Sequence, residues 1–81
     1  MQRFPKSRAE IERLVLQELQ ALETCKGAVG ISVIDWRSPG DEANWTVGAC
    51  EPGTSGKHEC ELALEVIVPR LQGFYELVQK H

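Results

Sequence analysis

The chain lacks a basic run, a long apolar run and a paired-cysteine motif, and each lack removes a class of function. Nine Lys and Arg stand against twelve Asp and Glu, for a formal net charge of −3. Binding to a phosphate backbone depends on clustered cations, so the charge balance argues against a nucleic-acid role. No apolar stretch approaches the roughly 20 residues needed to cross a bilayer. The opening Met-Gln-Arg-Phe-Pro-Lys-Ser has no apolar core of the kind a secretory signal carries. Three cysteines, an odd number without repeated spacing, do not make a disulfide framework. The expected setting is therefore a reducing cytoplasm, away from membranes. Internal repeats and low-complexity tracts are absent as well.

What remains is an ordinary globular composition in a short chain: 81 residues, 42% hydrophobic and 26% charged. That is one domain, residues 1–81, and a small one. A single core at this size seldom supplies more than about 3–5 kcal/mol, and such chains commonly add metal, disulfides or oligomerisation.

Two amphipathic helices frame the sequence. Ser7 and Glu10 form a Ser-x-x-Glu capping box, in which each side chain satisfies the other residue's backbone amide. Behind it Ile11, Leu14, Val15, Leu19, Leu22 and Cys25 fall on one helical face, and Gly27 is the natural stop. Leu16 points away from that face, and Glu18 interrupts it. In the second half, apolar residues from Cys60 to Val78 fill a sector about 200° wide on one helical wheel. The phase holds on both sides of Pro69, which predicts a helix that continues through the proline. So broad a face is either packed on two sides or lent to a partner. Arg70 interrupts it, and a cross-helix pair with Glu18 is the economical way to house both charges.

Between the helices the period changes to two. Val29, Ile31 and Val33 alternate with polar or small neighbours, then Trp45, Val47 and Ala49 do the same. Ser38-Pro39-Gly40-Asp41, extended by Glu42 and Ala43, is the turn between them. Matching the two apolar sets predicts an antiparallel hairpin with Ile34, Trp36, Thr46, Gly48 and Cys50 on its outer face. The fold class is α+β, in the order α-β-β-α with both helices on one face of the hairpin. Reading residues 61–68 as a third strand gives the alternative, α-β-β-β-α.

Candidate sites are few. Gly53-Thr54-Ser55-Gly56-Lys57 leads into a helix, where free amides attract anions. A phosphate loop would need Gly at Glu51 and a hydroxyl at His58, so the bland alternative is a turn in which Thr54 or Ser55 caps the helix. Thr54, Ser55, Gly56 and Lys57 stay a candidate small-anion site, with weak enzymatic chemistry as its furthest extension. Cys25, Cys50, His58 and Cys60 have the atoms for zinc but not the spacing, and Cys25 and Cys60 lie on apolar helix faces. No metal and no cofactor are expected.

Asn44-Trp45-Thr46-Val47, a Gly-containing loop, then Cys60 opening a helix that runs into Ile67-Val68-Pro69-Arg70-Leu71-Gln72 resembles a group of small uncharacterised bacterial proteins. The resemblance covers the second half of the chain. It implies a fold of two helices and one hairpin, without a catalytic motif. The functional expectation is a non-enzymatic protein–protein interaction or assembly module, homodimeric, using Leu16, Ile34, Trp36 and Thr46. A two-stranded sheet uncovered on one side needs such help. The hairpin's first strand, with Asp35 as its only charge, is expected to offer a free edge.

Overall fold

The computed structural model describes residues 4–36 and 44–78. The turn expected at residues 38–43 lies outside them. In chain order the elements are β1 (Phe4–Lys6), α1 (Arg8–Gln20), a 3-10 turn (Glu23–Cys25), β2 (Gly30–Asp35), β3 (Trp45–Glu51), α2 (Lys57–Phe74) and β4 (Tyr75–Leu77). The antiparallel hairpin β2–β3 with helices α1 and α2 packed against it is the expected α+β arrangement. A second sheet, the parallel pair β1–β4, is additional.

The capping box starts α1. Ser7 Oγ accepts the Glu10 amide at 3.2 Å, and Glu10 Oε1 accepts the Ser7 amide at 3.2 Å. The Ser7 hydroxyl also donates to Glu10 Oε1 at 3.1 Å, and the bonds from the Ser7 amide first and its hydroxyl second hold the Glu10 carboxyl below its ordinary value of 4.5. Ile11, Val15 and Leu19, one turn apart, are buried. The helix stops at Gln20 rather than running on to Gly27. Leu22 is extended, with φ −91° and ψ 136°, and the 3-10 turn after it re-aims the chain. Cys25 is thereby buried while Leu22 stays exposed. Leu16, expected to face outward, is half-buried and packs against the core.

The hairpin register corrects the simple alternation. Ile31 pairs with Cys50 and Ser32 with Ala49, but Val33 pairs with Val47 and Ile34 with Thr46. One extra residue, Gly48, is therefore inserted in β3 opposite the Ser32/Val33 step. A bulge of this kind exchanges the faces beyond it. Trp45 and Val47 face inward as expected; beyond Gly48 it is Cys50, not Ala49, that packs toward the core. Gly48 lies beneath Ile34, where a Cβ would come within 2.9 Å of the isoleucine Cγ2. Val29, assigned to the inner face, precedes β2 and is exposed.

α2 runs unbroken through Pro69, and residues 61–68 are helical, so the three-strand alternative is not the fold. Pro69 and Glu65 both lie on the exposed side of the helix, the side on which the proline leaves the Glu65 carbonyl without its helical donor. The helix ends at Phe74 rather than Val78. Tyr75 is extended, and β4 pairs with β1 in the register Phe4↔Tyr75, Pro5↔Glu76 and Lys6↔Leu77. The Val78 amide donates to the Lys6 carbonyl at 2.9 Å.

The start of β3 holds this pair in place. Asn44 acts as a two-pronged strand partner: its Nδ2 donates to the Leu77 carbonyl at 2.8 Å, and its Oδ1 accepts the Leu77 amide at 2.9 Å. The indole of the fully buried Trp45 donates to the Tyr75 carbonyl at 3.0 Å. From α2, Gln72 Nε2 donates to the Trp45 carbonyl at 2.5 Å. Around that tryptophan the core gathers Ile11, Val15, Leu19, Val33, Ile67, Val68, Leu71 and Leu77 with Cys25 and Cys60. Among the described residues, no buried side chain is polar or charged apart from the thiols.

Candidate functional site

Thr54, Ser55, Gly56 and Lys57 were the sequence's candidate for an anion. Gly53 makes the turn before them with φ +60°, a conformation that a side chain would strain, and its Cα side faces the Gly27 carbonyl. The Ser55 amide bonds the Pro52 carbonyl at 2.9 Å, closing the turn. Neither Thr54 nor Ser55 caps α2: the N-cap is Gly56, which has no side-chain cap. The Ser55 hydroxyl instead accepts the Gly27 amide at 2.9 Å, and the Thr54 hydroxyl lies against Gly27. These hydroxyls tie the loop to the start of the hairpin. The Glu59 carboxylate folds over Gly56, so the chain supplies its own negative charge where the helix dipole calls for one.

The three thiols, far apart in sequence, meet in space. Cys25 from the 3-10 turn and Cys60 from α2 are fully buried, and Cys50 on β3 is half-buried beside them. Burial pushes the Cys60 thiol up to about 12, and the neighbouring thiols of Cys25 and Cys50 add to the shift. Burial also raises Cys50, although a hydrogen bond with Cys60 works the other way. Thiols held this far from ionisation are poor nucleophiles and behave as small apolar groups. Among the described residues, no group of three His, Cys, Asp or Glu side chains has an arrangement able to hold a metal ion. His58 is exposed at the start of α2.

Glu18 and Arg70 form the expected ion pair between α1 and α2. Their side chains are 43% and 53% exposed, so the pair sits at the rim of the helix interface and not inside it. Two further contacts tie α1 to β2. Glu12 Oε2 accepts the Val33 amide at 2.9 Å, and Arg8 lies 3.5 Å from Asp35. The edge of β2, expected to be free, is thus engaged by a helix at the bulge and at its end.

Apolar surface remains uncovered at several places, among them Phe4 and Phe74 as well as the hairpin and α2. On the outer face of the hairpin Ile34 is 42% and Trp36 49% exposed, with Thr46 paired opposite Ile34. On α2, Leu62 and Val66 point to solvent, one turn apart. This accounts for the breadth of the apolar sector: part of it lies outside the core. Between β3 and α2 runs an open trench made of two adjoining cavities of about 390 and 510 Å³, which share Val47, Glu61 and Leu64.

Sequence reasoning missed Asn44, Gln72 and Glu12, whose side chains replace main-chain partners. It also missed the terminal strand pair, for which Gly73 followed by the alternation Tyr75-Glu76-Leu77 was the available signal. Among the described residues, no helix is long and apolar enough to cross a membrane. No family model matches the chain, and neither the curated proteins nor the solved structures contain a significant match.

Proposed function

We propose that the protein is a non-enzymatic assembly module whose outer sheet face docks a second copy of itself. The observation that carries this reading is the pair Ile34 and Trp36, both about half exposed on a two-stranded sheet that no helix among the described residues covers from that side. Such a sheet is marginal without further burial. The patch, completed by Ser32, Thr46, Gly48 and Ala49, carries no charge. Set against its own copy across a two-fold axis, it meets no like-charge penalty. Leu62 and Val66 on α2 are further apolar surface for assembly.

Several features favour binding over catalysis. Among the described residues the buried set holds no carboxylate or imidazole, and burial raises the thiols of Cys50 and Cys60. Free thiols in and beside the core suit a reducing compartment, and the cytoplasm is the setting proposed.

Sedimentation equilibrium at micromolar concentration tests the dimer directly. A particle of twice 9.1 kDa is expected. Trp36→Ala should weaken association while leaving the circular dichroism unchanged. A 9.1 kDa particle, or a dimer indifferent to that substitution, refutes the proposed interface.

A further inference from the structure

The trench between β3 and α2 is lined on one side by residues 46–50, five in unbroken succession. Side chains on a strand alternate between faces, so a cavity that touches consecutive residues is bordered by the strand's edge. Among the described residues β3 pairs only with β2, and no strand occupies that edge. The facing wall is α2, antiparallel to β3. It presents Leu64 and Val68 low in the trench, Glu61 and Glu65 one turn apart at its lip, and Lys57 a turn before Glu61 at the end nearest Cys50, so the acidic stretch is the part between Glu61 and Glu65. Neither carboxylate takes part in an ion pair among the described residues.

The spacings match. Residues four apart on a helix are about 6 Å apart along its axis. Alternate residues of a strand, which share a face, are about 6.8 Å apart. A strand laid beside β3 would set one side chain against Glu61 and the next but one against Glu65. The open edge supplies main-chain hydrogen bonds to any extended segment, and the two carboxylates select which segment is accepted.

We propose that this trench binds an extended polypeptide segment carrying Lys or Arg at alternate positions, added to β3 as a third strand. The inference rests on the reading of the protein as an interaction module, but not on its dimer. A second copy is the poorer occupant here. β3 itself would bring Trp45 and Val47 to the partner's carboxylates, and neither has a charge to offer them. The edge of β2 is no substitute, since Glu12 and Arg8 already engage it.

The test is amide-shift mapping on the full chain with a capped hexapeptide of alternating lysine and valine at low salt. Saturable shifts are expected at residues 46–50 and 61–65, with slowed hydrogen exchange along β3. The Glu61→Gln, Glu65→Gln double variant should bind about tenfold more weakly, as two partly exposed ion pairs allow. Glutamate in place of lysine, or methylation of every peptide nitrogen, should abolish the shifts. The proposal is overturned if the glutamate peptide binds as tightly, or if the lysine peptide gives no saturable shift. It is also overturned if signals from residues 46–50 move with protein concentration alone, since β3 would then be pairing with itself. Sedimentation keeps the two ideas apart. A monomer that binds the lysine peptide removes the dimer and leaves the trench, whereas a dimer blind to the peptide removes the trench alone.

Discussion

Replacing Asn44 by Ala should cost more than its half-buried position suggests. Its amide group makes two hydrogen bonds to the backbone of Leu77, at 2.8 and 2.9 Å, beside a leucine side chain only 5% exposed. Each such bond contributes about 0.5–1.5 kcal/mol net, so their joint loss is about 2 kcal/mol. In a domain whose core supplies about 3–5 kcal/mol, that is a large share. The corresponding fall in melting temperature is about 8–16 °C. Urea titration followed by tryptophan fluorescence measures the loss, and hydrogen exchange at Leu77 and Val78 locates it. Asn44→Asp keeps the acceptor for the Leu77 amide but sets an oxygen against the Leu77 carbonyl. It should be destabilised at neutral pH and recover in part as the new carboxyl is protonated. A loss under about 0.5 kcal/mol for the alanine variant would show that the side chain is not the clamp described. Unchanged exchange at Leu77 would lead to the same conclusion.

A double-mutant cycle on Glu18 and Arg70 should give a coupling of about 0.2–1 kcal/mol that fades with salt, as expected for a pair about half exposed; a coupling of several kcal/mol would mean that the pair is buried in solution. The lowered pKa of Glu10 stabilises α1 above the ordinary carboxyl range, and this contribution is lost as pH falls through the lowered value. Glu10→Gln should therefore flatten the acid limb of stability against pH, and an unaltered limb would count against the capping box as its cause. Cys60, raised from 9.0 to about 12, works in the opposite sense. Its contribution is complete below 9.0 and is lost as pH rises toward about 12, because the unfolded chain ionises first. Cys60→Ala should lessen that alkaline decline in urea titrations, and an unchanged decline would refute it. With an alkylating reagent at pH 8, Cys50 should react before Cys25 and Cys60, which are fully buried; mass spectrometry of the native protein reads the order.

Much of the frame was legible because it follows from periodicity and local chemistry. Ser7 and Glu10 announce the start of α1, and Ile11, Val15 and Leu19 announce its buried face. The charges of Glu18 and Arg70 stood out against apolar stripes, which is why their pairing could be inferred. The errors share a physical origin: a wheel or an alternation assumes that the backbone keeps its phase. Leu22 and Cys25 fit the α1 wheel, yet an extended residue lies between helix and turn. Ala49 fits the strand alternation, yet Gly48 shifts it by one. Glycine inside a strand is itself a bulge signal, so this error was avoidable. The meeting of three thiols and the trench beside β3 depend on elements distant in sequence, and no local pattern encodes them. Thr54 and Ser55 looked like caps or ligand donors because their hydroxyls were visible and their partner, Gly27, was not.

The parallel pairing of β1 with β4 also determines how the molecule answers to force. A pull on the chain ahead of Phe4 and beyond Leu77 draws two parallel strands along one another in opposite directions. The bonds between them, including the one from the Val78 amide to the Lys6 carbonyl, then share the load together. An antiparallel hairpin such as β2–β3, pulled from its open end, instead yields one bond at a time. Asn44 and the Trp45 indole, bonded to the Leu77 and Tyr75 main chain of β4, carry part of the load on the parallel pair and pass it to the core.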